Sequence, residues 1–132
     1  MFGAGQDPEQ IPPLVLAYIG DAVYELYVRS ALVARGITKV NLLHQEAVSL
    51  VRASSQSRFL KQIEEQLTEA EIRVMKRGRN ANSGSPPKGA EVTEYRRSTG
   101  LESLIGYLYL KGDDERLEEI LSRLPWPGED KQ

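Results

Sequence analysis

No cysteine occurs in the 132 residues, which excludes disulfides, thiolate metal ligands and a thiol nucleophile. That absence agrees with a reducing, cytoplasmic setting. Only one histidine is present, His44, and its neighbours Gln45 and Glu46 mark it as a surface or capping residue rather than a catalyst. Long apolar runs are missing too. The stretch from Leu14 to Val28 is too short for a membrane span and carries Asp21 and Glu25. The opening MFGAGQDPEQ lacks the basic residues and apolar core of a secretory signal. Runs that alternate apolar and polar residues, the mark of a half-buried strand, are also absent. These gaps leave a soluble, intracellular, all-α protein with no membrane partner, and the length fits one domain burying about two-thirds of its unfolded surface.

What is present is helical. Pro12 and Pro13 suit a first turn, and the helix they open is expected to stop at Gly36. Thr38 or Asn41 can cap a second helix over Leu42 to Val51, and Phe59, Leu60, Ile63 and Leu67 give a third its apolar stripe. Thr68 followed by Glu71 is a capping box for a fourth, which is expected to continue through Ile72 and Met75 toward Arg79. The run GRNANSGSPPKG, residues 78–89, breaks the pattern and reads as a mobile loop. Helix resumes near Val92 and ends at Gly112, and a last one runs from about Asp113 to Leu124 with acids in its first turn. Trp126, between Pro125 and Pro127, is expected to anchor the end of the chain. The boundaries that follow are 1–10 for an N-terminal extension, 11–124 for the folded domain and 125–132 for a tail.

Net charge is only −2, but it is unevenly spread. Seven basic residues against two acids lie between Arg73 and Arg97, whereas Asp113 to Gln132 holds seven acids against three basic residues. A local field of this kind can draw a polyanion to one face.

Two helices carry carboxylates in apolar surroundings. In IPPLVLAYIGDAVYELYV, Ile11 to Val28, the only charges are Asp21 and Glu25; in STGLESLIGYLYL, Ser98 to Leu110, the only charge is Glu102. A helix that is apolar nearly all round is buried on most faces, and a buried carboxylate must be paired or metal-bound. Neither run offers a lysine or arginine. Asp21 and Glu102 are therefore expected to meet across a helix interface and share a divalent cation. Glu25, one turn after Asp21, can support that site or pair with Arg29. Gly20 and Gly106, each costing its helix about 1 kcal/mol relative to alanine, point to close approach of two helices. Tyr18, Tyr24, Tyr27, Tyr107 and Tyr109 read as core or interface aromatics.

The segment YIGDAVYELYV, Tyr18 to Val28, resembles the Gly-Asp helix of the ribonuclease III catalytic domain, and LESLIGYLYL, Leu101 to Leu110, resembles that family's second glutamate-bearing helix. With KRGRNANS, PPKGA and EYRRSTG between them, the chain looks like the small bacterial subgroup called mini-ribonuclease III, which consists of the catalytic domain alone. The resemblance covers roughly Pro12 to Leu124. It implies a homodimeric, Mg2+-dependent endonuclease for double-stranded RNA that matures the ends of the large-subunit (23S) ribosomal RNA precursor. Full-length relatives usually place two more carboxylates where this chain has Ala17 and Thr99, which puts the number of metal ions in doubt.

On this reading Asp21 and Glu102 are the catalytic and metal-binding residues. Mg2+, for which Mn2+ may substitute, needs only one or two carboxylates besides water and substrate oxygens. Hydrolysis by metal-activated water leaves 5′ phosphate and 3′ hydroxyl ends. Lys76, Arg77, Arg79, Asn80, Lys88, Arg96 and Arg97 form the expected RNA-binding set, because double-stranded RNA is held mainly through phosphates and 2′-hydroxyls. Three other readings compete. They are a non-catalytic RNA-binding scaffold of the same fold, a helical nucleotide pyrophosphatase using Glu91 with Glu94 or Glu115 with Glu118, and a helical protein-interaction module.

Overall fold

A computed structural model describes residues 7–81, 86, 88 and 91–126, and the described residues contain helices and no strand. Among the described residues six α-helices follow one another: α1 (Pro13–Ala34), α2 (Val40–Val51), α3 (Ala53–Ile63), α4 (Glu69–Asn80), α5 (Val92–Lys111) and α6 (Asp114–Leu121), with single 3-10 turns at Pro8–Gln10 and Glu64–Gln66. Among the described residues no helix is long and apolar enough to cross a membrane. The all-α expectation holds.

α5 is the centre of the domain. From Ser98 to Leu108 every residue but the half-buried Glu102 is buried, and the helix packs most extensively on α1, then on α4 and α3. Small residues let it approach its neighbours. A Cβ on Gly20 would overlap the Glu102 carbonyl, and one on Gly106 would overlap the carbonyl of Leu16. α1 and α5 therefore cross backbone against backbone. On the other side of α5, Gly78 of α4 lies against Thr99 and Ser103. Around these seams Leu16, Tyr24, Phe59, Leu60, Met75, Leu104 and Leu108 fill the core.

Several sequence signals act as expected. Gly36 and Gly112 terminate α1 and α5 with φ of 91° and 81°, the left-handed conformation that glycine adopts without a Cβ penalty. The Thr68/Glu71 capping box is complete. Glu71 does more than cap. Its carboxylate takes two hydrogen bonds from Arg116 of α6 at 2.8 Å each, while the same guanidinium donates to the Gln66 carbonyl at 2.9 Å. Burial alone would raise the Glu71 carboxyl, but the bonds from Arg116 and Thr68 prevail and hold it below the usual range. Trp126 is buried, with the Arg35 guanidinium 5.0 Å from its ring centroid.

Other expectations need correction. α2 begins at Val40 with Lys39 as its N-cap, so neither Thr38 nor Asn41 caps it. α4 continues through Gly78 to Asn80, beyond the expected start of the loop at Gly78, and Gly78 lets it pack closely on α5. Gly78 to Asn80 of the expected loop 78–89 are helical, and residues 82–85, 87 and 89 of it lie outside the described residues. The open apolar surface expected of the first helix is present, with Leu14, Val15, Tyr18, Leu26 and Val33 exposed along one face of α1.

Candidate active site

The α1–α5 crossing places the two carboxylates. Asp21 follows Gly20 at the closest point of approach, and Glu102 lies one turn before Gly106 on the facing helix. The side chains come together, with Asp21 within hydrogen-bonding reach of Glu102. Their environments differ. Asp21 is exposed, which corrects its expected burial: it lies at the margin of the open face of α1 and not within the core. Glu102 is half-buried.

Burial, and then the negative charge of Asp21, push the Glu102 carboxyl from its ordinary 4.5 to about 8. The amide of Gln56 opposes this by donating from Nε2 to Glu102 Oε2 at 3.3 Å. Among the described residues no cationic side chain pairs with either carboxylate, and no third Asp, Glu or His joins them. Two carboxylates brought together without a counter-cation, one of them held toward its neutral form, are a donor set that suits a divalent ion.

The displaced Glu102 titration has a measurable consequence. Folding raises this pKa, so between 4.5 and about 8 the folded chain binds more protons than the unfolded chain. Its contribution to stability is complete below 4.5 and is lost as the pH rises through about 8. In chelator, denaturation midpoints of the wild type are expected to fall across this window, and the Glu102→Gln chain should show a flatter profile. Equal slopes would contradict the assignment.

The other candidates are more dispersed. Glu25 pairs with Arg29 at 2.6 Å and does not bond to the carboxylate pair. Ala17 is buried, and Thr99, also buried, donates its hydroxyl to the Tyr95 carbonyl at 3.1 Å, so neither position adds a charge. His44 is on the exposed side of α2. Glu91 caps α5 by accepting from the Glu94 backbone N–H at 2.9 Å, and Glu115 and Glu118 are exposed on α6. Neither glutamate pair assembles a metal site.

In the basic set, Lys76, Asn80, Lys88 and Arg96 are exposed, and Arg79 and Arg97 are partly so. Arg79 donates from Nε to Asn80 Oδ1 at 3.2 Å. Arg77 is engaged elsewhere: its Nη1 donates to the Glu9 carbonyl at 2.6 Å, beside an Arg73–Glu9 ion pair of 2.8 Å. These bonds tie the 3-10 turn at Pro8–Gln10 to α4.

Sequence inspection misses Gln56, Tyr24 and the corner they hold. α2 and α3 meet at Arg52, whose extended backbone (φ −66°, ψ 155°) ends one helix and starts the next. A helix end leaves carbonyls unpaired. Here Tyr24 Oη donates to the Leu50 carbonyl at 3.2 Å, Gln56 Nε2 to that of Val51 at 2.8 Å, and Ser55 Oγ to that of Ser49 at 2.5 Å. Burial, and then the Glu102 charge, push the Tyr24 phenol well above its ordinary value. One signal for Gln56 was available in the sequence: it occupies the apolar stripe of Phe59, Leu60 and Ile63, where a polar side chain is out of place.

The helical fold agrees with the family to which the sequence is matched: the Ribonuclease III domain covers residues 14–113. The chain belongs to the ribonuclease III family, in its mini-ribonuclease III group, and is an endoribonuclease of that family. Its relatives include a "Mini-ribonuclease 3" of Clostridium tetani, 50% identical over 88% of this chain and 78% of that protein. Another, from Enterococcus faecalis, is 48% identical over 89% of this chain and 90% of its own length. A solved structure of a Fusobacterium nucleatum protein superposes with a TM-score of 0.79 at 31% identity, covering 86% of this chain and 90% of that one.

Proposed function

We propose that this chain is a homodimeric, divalent-metal-dependent endonuclease of double-stranded RNA that acts in the cytoplasm on the ends of the large-subunit (23S) ribosomal RNA precursor. The observation that carries the reading is the Asp21–Glu102 pair, held together by the Gly20/Gly106 crossing without a counter-cation.

Asp21 and Glu102 would hold Mg2+, or Mn2+ in its place. When bound, such an ion polarises a phosphate and lowers the pKa of water. The exposed Asp21 is open to solvent and substrate, while Glu102 is anchored from behind by Gln56. Arg79, Lys88, Arg96 and Arg97, with Lys76 and Asn80, supply donors for phosphates and 2′-hydroxyls. Arg77, exposed and using Nη1 to bond the Glu9 carbonyl, adds its remaining guanidinium donors. Hydrolysis yields 5′ phosphate and 3′ hydroxyl ends.

Cutting both strands in one encounter takes two such sites, which a two-fold dimer supplies. The exposed Leu14, Val15, Tyr18, Leu26 and Val33 of α1 offer an apolar face for it, and a groove of about 310 Å³ between α1 and α2 continues that face past Val40 and Val48. Tyr18→Asp is expected to give a monomer at micromolar concentration in sedimentation and to uncouple the two cuts. A Tyr18→Asp chain that remains dimeric would move the interface elsewhere.

The direct test is cleavage of a long, perfectly paired RNA by the purified protein, with Mg2+ and with chelator. The expected result is double-strand cutting abolished by chelator, with binding that weakens about a thousandfold between ~50 and ~200 mM salt if six phosphates are held. Salt-sensitive binding without cleavage would instead identify a scaffold.

A further inference from the structure

We propose that Gln56 is a positioning residue for this site, its buried amide claiming one oxygen of Glu102 and leaving the other for the ion and Asp21. The inference rests on the reading of Asp21 and Glu102 as metal ligands.

Gln56 is 2% exposed, and both hydrogens of its Nε2 have acceptors: the Val51 carbonyl at 2.8 Å and Glu102 Oε2 at 3.3 Å. Because the Val51 carbonyl can only accept, turning the amide over would set its own oxygen against that carbonyl, so the shorter bond fixes its orientation. That orientation leaves Gln56 Oε1 buried with no partner. A leucine or methionine in the same stripe would avoid the orphaned oxygen. The amide is thus poorly suited to packing and well suited to holding a carboxylate. Among the described residues, its N–H is the one side-chain nitrogen donor bonded to Glu102.

The arrangement also has a rigid base. Gln56 is bonded to the last carbonyl of α2, and the preceding carbonyl is held by Tyr24 of α1. Glu102 is therefore oriented from the α2–α3 corner, while Asp21 reaches it from α1. Partners that orient metal ligands in this way typically change affinity or activity about 10- to 100-fold when removed.

The test uses the full chain with Mn2+ as the probe. In Gln56→Met and Gln56→Leu, the Mn2+ concentration that half-saturates binding, read by electron paramagnetic resonance, is expected to rise about tenfold or more, with KM for RNA unchanged. A lowered Tm with wild-type Mn2+ affinity would show that Gln56 is merely structural and overturn the proposal. Should neither variant fold, the side-chain amide protons of Gln56 in the wild type decide: a shift on adding Mg2+ that is lost in Asp21→Asn supports the role, and no shift overturns it. Wild type that fails to bind Mn2+, or Asp21→Asn that binds it equally well, refutes the metal site itself and this inference with it. Failure of Gln56 alone gives a different pattern, with wild-type binding intact and Asp21-dependent.

Discussion

Asp21→Asn is expected to bind double-stranded RNA as the wild type does and to cut it about a thousandfold more slowly, equivalent to about 4 kcal/mol of transition-state stabilisation. The substitution keeps the size of the side chain and removes only its charge. Because Asp21 is exposed, no buried packing is disturbed. Its charge also raises the Glu102 carboxyl, so asparagine relieves that repulsion, and the metal-free chain near neutral pH should be at least as stable as the wild type. Activity and stability are thus expected to move independently. Single-turnover cleavage of an end-labelled duplex and thermal melting in chelator measure the two. A cleavage rate within tenfold of wild type would remove Asp21 from the chemistry, and a large drop in Tm would make it structural.

The second large effect concerns stability and has an unexpected sign. Alanine is favoured over glycine inside a helix by about 1 kcal/mol, so helix propensity alone predicts that Gly20→Ala stabilises the chain. The structure predicts the reverse. The new methyl would meet the carbonyl of Glu102 and the backbone nitrogen of Gly106, atoms that no side-chain rotation can move aside. α1 and α5 must separate, which shifts both carboxylates and opens the most extensive helix contact in the domain. Overpacking typically costs about 1–3 kcal/mol and occasionally more, and a clash with backbone belongs at the upper end, a large fraction of the roughly 5–15 kcal/mol that stabilises a typical domain. Denaturant titration compares the two expectations directly. A Gly20→Ala chain as stable as wild type would contradict the backbone contact.

Local signals were legible in the sequence, and long-range ones were not. Thr68 with Glu71, Gly36 and Gly112 act within a few residues of themselves, and their helix boundaries follow. The glycines of α1 and α5 were legible as a pair because each is unusual in an apolar helix. Gly78 gave the opposite impression: among Asn, Ser and Pro it resembles a loop residue, whereas it is a helical position where Ser103 and Thr99 of α5 approach too closely for a Cβ. The exposure of Asp21 was also hidden, because apolar composition cannot distinguish a face covered by this chain from one left open. The same limit applies to Arg77, whose partner Glu9 lies 68 residues away. Gln56 was visible as an anomaly on its stripe, but its bond to Glu102 spans 46 residues and depends on the α2–α3 corner.

The Gly20–Gly106 crossing also bears on the order in which the protein is made. Asp21 leaves the ribosome early, whereas Glu102 comes from the penultimate helix, and contact between such distant segments forms only after the chain between them has been produced. Until α5 is released, the nascent polypeptide carries half of a site and none of the seam that would complete it. Translation itself therefore delays the assembly of the carboxylate pair in a protein synthesised in contact with RNA.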